Sequence, residues 1–352
     1  MNTLELAERA GRAGAATTDS DLVATILAKH PADDLTAALT EVLPTLEGAF
    51  SFVVMDERSL FAARDPLGLR PLSLGRLPNG FCVASETCAL DIVGATFVRD
   101  VEPAELLRID DRGVELWRFA DGGRSALCIF EYVYLARADS RIRGRTVHEV
   151  RRELGRRLAA EAPADADLVI PVPDTGHSAA QGYAEALGLP YGEGLMKNRY
   201  VGRTFIQPSQ SLRERGVKLK LNPMPDAVRG KRLVVIDDSI VRGTTTRQIV
   251  QALREAGATE VHTRITCPPI RWPCFYGIDM STRHELIAAD LAVEQVRDYV
   301  GADSLGYLSL EGMVAATGQG SETFCRACFD GVYPIPIPER AGKFLLEHPA
   351  KS

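Results

Sequence analysis

Long apolar runs are absent from this sequence of 352 residues. No run could span a bilayer, and the N-terminal stretch MNTLELAERAGRAG lacks the apolar core of a signal peptide. We therefore expect a cytoplasmic chain with no membrane partner. A surplus of positive charge is also missing, since 41 basic and 47 acidic residues give a net charge of -6. This balance argues against a nucleic-acid partner, because surfaces that bind nucleic acid usually carry a basic patch.

Cysteine is scarce as well, and seven thiols are too few for a disulfide scaffold in a chain of this length. In a reducing compartment, clustered thiols more often bind metal or are buried. The rest of the composition, with 45% hydrophobic and 25% charged residues, is ordinary for a soluble globular enzyme. The length is sufficient for two domains.

The first part of the chain combines helices with a sheet. Residues 1–45 carry apolar residues at helical spacing. From Gly48 to residue 118, short β-branched and aromatic runs are separated by Asp, Gly and Pro, which predicts antiparallel strands. A hinge is predicted at residues 120–124.

The second part alternates helices and strands, which predicts a parallel α/β sheet. The stretch EVRRELGRRLAAEA is amphipathic, with Val150, Leu154 and Leu158 on one face. KRLVVIDDS and EVHTRIT are apolar strands, and TRQIVQALREAGA is a helix. The Pro-rich tail at 334–352 is expected to be irregular or weakly helical.

The most informative segment is LVVIDDSIVRGTTTRQIV, at residues 233–250. Asp237 and Asp238 stand at the carboxyl end of a predicted buried strand, where ligands bind in open α/β sheets. The hydroxyl-rich turn that follows leads into a helix, whose N-terminal N–H groups suit a phosphate. The two carboxylates can hold ribose hydroxyls and Mg²⁺ near a diphosphate. The alternative is an acidic pair that caps a helix, and a Walker loop is excluded because its pattern is missing.

VVIDDSIVRGTT resembles the signature that binds phosphoribosyl pyrophosphate (PRPP) in type I phosphoribosyltransferases. With Ser-Ile-Val-Arg-Gly after the two acids, it is similar to the glutamine-dependent amidophosphoribosyltransferases of purine synthesis. The resemblance extends to IFEYVYLARADS, PVPDTGHSAAQGYAEALGLPY, KNRYVGRTFIQPSQSLRERGVKLKLN, PCFYGIDMSTRHELIA and CRACFDGVYP, so it covers essentially the whole chain. It implies the C-terminal part of an Ntn-hydrolase (class II glutamine amidotransferase) sandwich at 1–120. A type I phosphoribosyltransferase α/β domain would follow at 125–345. A homo-oligomer that is inhibited by purine nucleotides is also implied.

Site residues follow from the same resemblance. Thr175, Asp237 and Asp238 would hold Mg²⁺, and the PVPDTG loop would face the pyrophosphate. The basic segment 197–221 would close over PRPP, and the alternative for it is a solvated surface loop. The implied PRPP-binding residues are Asp174, Thr175, Gly176, Lys197, Arg203, Lys218, Asp237, Asp238, Ser239, Ile240, Val241, Arg242, Gly243, Thr244 and Thr245.

The chemistry implied for this site needs no protein nucleophile. Pyrophosphate leaves C1 of the ribose and ammonia enters, through a transition state that resembles an oxocarbenium ion. Mg²⁺ and basic side chains can stabilise the charge that gathers on the leaving group. Closure of a loop would exclude the water that otherwise hydrolyses PRPP.

Four of the cysteines match a second feature of the family. In one branch, cysteines in the contexts LCIFEY, PCFYGID and CRAC ligate a [4Fe–4S] cluster, and here these are Cys128, Cys274, Cys325 and Cys328. Zinc is the chemical alternative, since four thiolates suit either metal, and each thiol taken singly can be a buried small hydrophobe. The remaining three, Cys82, Cys88 and Cys267, are interpreted as buried or incidental.

One expected element is missing from the sequence. The glutaminase domain of the family begins with a Cys whose own α-amino group activates its thiol. This chain begins Met1-Asn2-Thr3 and has no cysteine before Cys82. We therefore expect an N-terminally truncated enzyme, from a misplaced start or as a fragment that acts with a partner. Asp19 matches the family acid that holds the amino group of glutamine, but it equally suits a helix N-cap before Leu22.

Three hypotheses follow for function. The first is an amidophosphoribosyltransferase, a pentosyltransferase that forms 5-phosphoribosylamine in the first committed step of purine synthesis. It uses PRPP and glutamine or ammonia, and this chain would keep only the ammonia-dependent reaction. The second is a non-catalytic regulatory subunit that binds PRPP, and the third is a salvage phosphoribosyltransferase that uses a purine base.

Overall fold

The structure is a computed structural model, which describes residues 2–11, 18–121, 125–198, 221–280 and 282–337. Two of the implied PRPP-binding residues, Arg203 and Lys218, lie outside the described residues. So do residues 122–124 of the predicted hinge and the tail beyond residue 337. No helix in the described ranges is both long enough and apolar enough to cross a bilayer.

The first part of the chain begins with helices and continues as antiparallel strands, as predicted. The helices are α1 (Thr3–Arg9), α2 (Asp19–Ala28), α3 (Leu35–Val42) and α4 (Thr87–Ile92). The strands are β1 (Ser51–Met55), β2 (Leu60–Arg64), β3 (Ser73–Leu77), β4 (Gly80–Ala84), β5 (Thr96–Asp100), β6 (Glu105–Asp110) and β7 (Gly113–Arg118).

Three layers form from these elements. The sheet β1-β2-β6-β7 carries α1 to α3 on one face and the sheet β4-β3-β5 on the other. Successive side chains of a strand point to opposite faces of the sheet. In β2, Phe61 and Ala63 therefore pack with the helices, whereas Ala62 packs between the two sheets. The predicted two-sheet arrangement is therefore confirmed.

The start of α2 corrects one prediction. Its N-cap is Thr18, whose hydroxyl accepts the backbone N–H of Asp21 at 3.2 Å, and Asp19 is the first helical residue. The Asp19 carboxylate instead accepts a hydrogen bond from the hydroxyl of Thr3 at 2.9 Å. The alternative of Asp19 as an N-cap is thus wrong by one residue, because Thr and Asp are both good caps and sequence alone does not rank them.

Short elements lead from the first part into the second. They are β8 (Leu127–Cys128), a π-helical turn at Glu131–Leu135, β9 (Arg141–Ile142) and β10 (Arg145–Thr146). The second part then contains the helices α5 (Val147–Glu161), α6 (Gly176–Leu187), α7 (Pro225–Val228), α8 (Thr244–Glu255), α9 (Ile287–Asp290), α10 (Val293–Val300), α11 (Leu310–Thr317) and α12 (Ala327–Asp330). Its strands are β11 (Leu168–Pro171), β12 (Leu195–Lys197), β13 (Leu221–Pro223), β14 (Arg232–Asp237), β15 (Glu260–Ile265), β16 (Ser304–Tyr307) and β17 (Phe324–Cys325).

The centre of the second part is a parallel sheet in the order β11-β14-β15-β16. Its strands are apolar because helices cover them, and Leu233 to Ile236 of β14 are 0–2% exposed. The predicted face of α5 is confirmed, since Val150, Leu154 and Leu158 are all buried in this core. Parallel strands place their carboxyl ends at one edge of the sheet. The two loops singled out by the sequence, one after β11 and one after β14, both begin at that edge.

Helices α5 and α6 cross at very short range through a glycine on each. A methyl group added at Gly155 would lie 1.9 Å from the carbonyl oxygen of Ala179. A methyl group added at Gly182 would lie 1.9 Å from the carbonyl oxygen of Arg152. Because the two backbones touch, α5 fixes the position of α6 and of the loop that precedes it.

Candidate active site

Two buried carboxylates stand at the carboxyl end of β14, as predicted. Asp237 and Asp238 are 8% and 9% exposed. Burial raises the pKa of Asp237 well above its usual range, and the neighbouring charge of Asp238 raises it further. The pKa of Asp238 is also raised by burial, against hydrogen bonds from Ser239 and Thr175 that lower it. Such a pair suits a cation or the hydroxyl donors of a sugar.

The loop after β11 reaches the same edge. Thr175 is the N-cap of α6, but its hydroxyl donates to Oδ2 of Asp238 rather than to the helix. A methyl group at Gly176 would lie 2.6 Å from the carbonyl oxygen of Ile236, so this position requires a glycine. Lys197 forms an ion pair with Asp174, which brings a cation to the mouth of the loop.

The turn from β14 into α8 is held by hydrogen bonds to residues 285 and 287. The N-cap of α8 is Gly243, with φ at +75°, and no side chain caps the first turn of the helix. The backbone N–H of Ile287 donates to the carbonyl of Val241 at 2.9 Å, and Arg242 pairs with Glu285 at 3.0 Å. The backbone N–H groups at the start of α8 therefore suit a phosphate group.

The structure thus gathers the predicted residues at one edge of the sheet. These are Asp174, Thr175, Gly176, Lys197, Asp237, Asp238 and the turn Ser239 to Thr245. They come from three segments of the chain, and their meeting confirms the topological argument from the carboxyl ends of parallel strands. Their individual contacts with PRPP remain a prediction.

Sequence reasoning missed a buried cation beneath this site. Arg151 is 4% exposed and donates to the carbonyl oxygens of Tyr132 at 2.7 Å and Ala136 at 2.8 Å. Its positive charge is one of the influences that lower the pKa of Asp238. The helical spacing does indicate that Arg151 is buried. It lies four residues after Val147 and three before Leu154, both of which are buried.

The cysteines of the predicted cluster lie in one region. Cys128 and Cys325 stand opposite each other in the parallel pair β8–β17. Burial, together with a smaller contribution from Cys274, raises the pKa of the Cys325 thiol to about 11. Burial also raises the pKa of the Cys328 thiol, with smaller contributions from the charges of the other three.

No group of three or more His, Cys, Asp or Glu side chains within the described ranges is arranged to hold a metal ion. The four thiols are near one another, but no three of them are placed to share a metal ion. Their chemistry still fits a metal cluster, because four soft thiolate donors repel one another and a bound cation reverses that repulsion. The [4Fe–4S] assignment stays a prediction.

Comparisons with known proteins agree with this geometry. Residues 1–91 match a family described as "Glutamine amidotransferase domain", and residues 145–270 match one described as "Phosphoribosyl transferase domain". The amidophosphoribosyltransferase of Mycobacterium tuberculosis is 57% identical, over 99% of this chain and 69% of that protein. The amidophosphoribosyltransferase of Bacillus subtilis is 51% identical, over 91% of this chain and 68% of that protein.

A solved structure supports the same conclusion. It is the glutamine PRPP amidotransferase from B. subtilis complexed with ADP and GMP, which superimposes with a TM-score of 0.89 and 48% identity. The match covers 97% of this chain and 76% of that one. The predicted fold class, part of a glutamine amidotransferase domain followed by a phosphoribosyltransferase domain, is confirmed. On the sequence identity and the shared fold together, the chain belongs to the amidophosphoribosyltransferase family.

Proposed function

We propose that this chain forms 5-phosphoribosylamine and pyrophosphate from PRPP and ammonia, the chemistry of the first step of purine synthesis. The observation that carries the proposal is the meeting of the buried pair Asp237 and Asp238 with the loops after β11 and β14. The site built around Asp237 and Asp238 serves the phosphoribosyl transfer and not the release of ammonia from glutamine, so we propose that these 352 residues use free ammonia and not glutamine.

Each loop has a separate task in this reaction. The backbone N–H groups from Ser239 to Thr245 bind the 5′-phosphate at the N-terminus of α8. The Asp237 and Asp238 carboxylates accept hydrogen bonds from the ribose hydroxyls and so orient C1 toward the incoming ammonia. Lys197, beside the pyrophosphate loop, stabilises the negative charge that gathers on the departing pyrophosphate. Ammonia bonds to C1 as the C1–oxygen bond breaks, and it then releases a proton.

Mg²⁺ fits the same residues. Two carboxylates that are over 90% buried and have raised pKa values need a compensating cation. Thr175, Asp237 and Asp238, which offer oxygen ligands only, would hold the ion. When bound, Mg²⁺ would supply charge stabilisation to the diphosphate leaving group.

An assay with two nitrogen donors tests the function. The purified chain with Mg²⁺ and PRPP is expected to release pyrophosphate when ammonium is supplied at high pH, and to release none with glutamine. Free NH₃ is the nucleophile, so the rate should rise with pH as ammonium deprotonates. Turnover of glutamine would contradict the ammonia-only proposal, and PRPP binding without turnover would favour the regulatory subunit. Activity with adenine or hypoxanthine would favour the salvage enzyme.

We also infer that Cys128, Cys274, Cys325 and Cys328 ligate a [4Fe–4S] cluster. Support comes from the pairing of β8 with β17, which joins the start of the second part to its C-terminal segment. The positive guanidinium of Arg70 lies near Cys128 and is compatible with a cluster, because a cluster bound by four thiolates carries net negative charge. Tyr333 and Tyr276 pack on the same region and shield it from water. The cluster would stabilise the fold and take no part in the chemistry.

Metal analysis of protein purified without oxygen tests this assignment. We expect a brown protein that absorbs at the blue end of the visible spectrum, with iron and acid-labile sulfide in equal amounts. Cys274→Ser is expected to lose most of the colour and to unfold at a lower temperature. Cys88→Ser, which changes a buried thiol outside this group, is the matched control and should keep the colour. Colourless protein that contains zinc would contradict the iron–sulfur assignment.

A further inference from the structure

A short loop at residues 137–141 is held by side chains of the first part of the chain. Glu86, just before α4, accepts hydrogen bonds from the backbone N–H of Arg137 at 2.8 Å and from the hydroxyl of Ser140 at 2.6 Å. The hydroxyl of Thr87 accepts the backbone N–H of Arg141 at 2.8 Å. Ser140 is fully buried and Thr87 is 5% exposed, so this contact excludes water.

The same loop is bonded on its other side to the start of α5. The backbone N–H of His148 donates to the carbonyl of Ala138 at 2.8 Å, and that of Val147 donates to the carbonyl of Ser140 at 2.9 Å. The ring of His148 then extends to α6, where its Nδ1 lies 2.8 Å from Oγ of Ser178. Ser178 is 5% exposed.

Ser178 lies in the first turn of α6, two residues after Gly176 of the pyrophosphate loop. The glycine crossing of α5 and α6 holds α6 at Ala179 and Gly182, which follow Ser178 in the helix. The hydrogen bond between His148 and Ser178 adds a contact at the N-terminal end, beside the hydrogen bond from Thr175 to Asp238 and the close approach of Gly176 to Ile236. A hydrogen-bonded path therefore runs from Glu86 to the loop that faces the pyrophosphate, and none of its side chains touches the site.

We propose that Glu86, His148 and Ser178 are positioning residues, through which the first part of the chain sets the geometry of the pyrophosphate loop and increases the affinity for PRPP. This inference rests on the proposed function, which places PRPP at that loop. Thr175, the N-cap of α6, donates to Asp238, so the position of this turn affects the acidic pair. A break anywhere in the path removes one of the contacts that hold the N-terminal turn of α6. The turn can then move, and the main effect is a lower affinity for PRPP.

A double-mutant cycle tests the path, with PRPP affinity measured by calorimetry on the 352-residue chain in the presence of Mg²⁺. Glu86→Ala and Ser178→Ala are each expected to weaken binding about fivefold, which corresponds to one buried hydrogen bond. The double variant should also lose about fivefold, because a path that is already broken cannot be broken again. Independent effects would give about 25-fold. In the ammonia assay, the KM for PRPP should rise and kcat should stay within about twofold.

Two further variants separate positioning from general damage. Glu86→Gln keeps an acceptor oxygen and should restore most of the affinity. Glu185→Ala removes exposed ion pairs to Arg152 and Arg156 between the same two helices, and should bind PRPP like the wild type. If Ser178→Ala does not fold, His148→Ala breaks the same contact.

The outcomes are distinct. Additive losses, or unchanged affinity in Ser178→Ala, would overturn the path while leaving the proposed function intact. Failure of the wild-type chain to bind PRPP would overturn the proposed function, and the path with it.

Discussion

The Asp237→Asn variant is expected to lose at least about 100-fold in ammonia-dependent turnover and yet to melt at a higher temperature than the wild-type chain. The loss of activity follows from the charge, since an amide neither balances Mg²⁺ nor accepts two ribose hydroxyls as a carboxylate does. Asn has nearly the same shape as Asp, and its oxygen can still accept the backbone N–H of Asp238, which Asp237 accepts at 2.9 Å. The backbone of the site should therefore be unchanged.

The gain in stability follows from the direction of the pKa shift. Burial and the charge of Asp238 raise the pKa of Asp237 in the folded chain above its value in the unfolded chain. At neutral pH the folded state must therefore hold a charge that the unfolded state holds more easily in water. A neutral amide removes this cost, so the thermal midpoint should rise when Mg²⁺ is absent. Mg²⁺ and PRPP should then stabilise the wild type and have little effect on the variant.

Asp167→Asn is the control for this prediction. Asp167 lies just before β11, at the opposite edge of the same sheet, where it bonds to Arg232 at 2.8 Å. The hydrogen bonds from Arg232 lower the pKa of Asp167 to about 2, so its charge favours the folded state. Its removal should leave turnover unchanged and should not raise the thermal midpoint. Turnover above about a tenth of wild type in Asp237→Asn would show that this carboxylate does not belong to the site.

The part of this site that sequence predicts is the part that is local in the chain. Four apolar residues followed by two acids specify a buried strand with carboxylates at its end, because strand, turn and helix occupy consecutive residues. The loop after β11 could be assigned to the same edge because parallel strands share the direction of their carboxyl ends. The contact of Thr175 with Asp238 follows from that register, in which Pro171 lies beside Ile236.

What sequence could not predict depends on pairs of residues far apart in the chain. Cys128 and Cys325 are nearly 200 residues apart and are opposed through the β8–β17 pairing, so residue patterns alone do not bring them together and only the resemblance to a known family did. The hydrogen bond between His148 and Ser178 requires a particular crossing of α5 and α6, and neither residue stands out from its neighbours. Arg151 was overlooked because a charged residue on an apolar face is usually solvated, whereas here two backbone carbonyls satisfy it.

The crossing of α5 and α6 leads to the second prediction, in which Gly182→Ala strongly destabilises the chain. The added methyl group would lie 1.9 Å from the carbonyl oxygen of Arg152, and backbone atoms cannot turn aside as a side chain can. The helices must separate, so we expect a loss of at least about 3 kcal/mol in the free energy of unfolding, at the upper end for overpacked cores. Denaturant titration followed by circular dichroism measures this loss.

Ala186→Ser provides the control, since it adds one atom at an exposed position of the same helix. Its free energy of unfolding should stay within about 0.5 kcal/mol of wild type. Equal stability of Gly182→Ala and wild type would mean that the helices cross elsewhere, and the argument for a fixed α6 would fail.

The reciprocal change makes the crossing itself measurable. A methyl group at Gly155 would lie 1.9 Å from the carbonyl oxygen of Ala179, on the opposite side of the same contact. Once one methyl group has separated the helices, the second finds space already made, so the double variant should lose less than the sum of the two single losses. Since α6 begins at the pyrophosphate loop, any folded fraction of either variant should also bind PRPP more weakly. If the glycine contact affected only the free energy of unfolding, the folded fraction would bind PRPP with unchanged affinity.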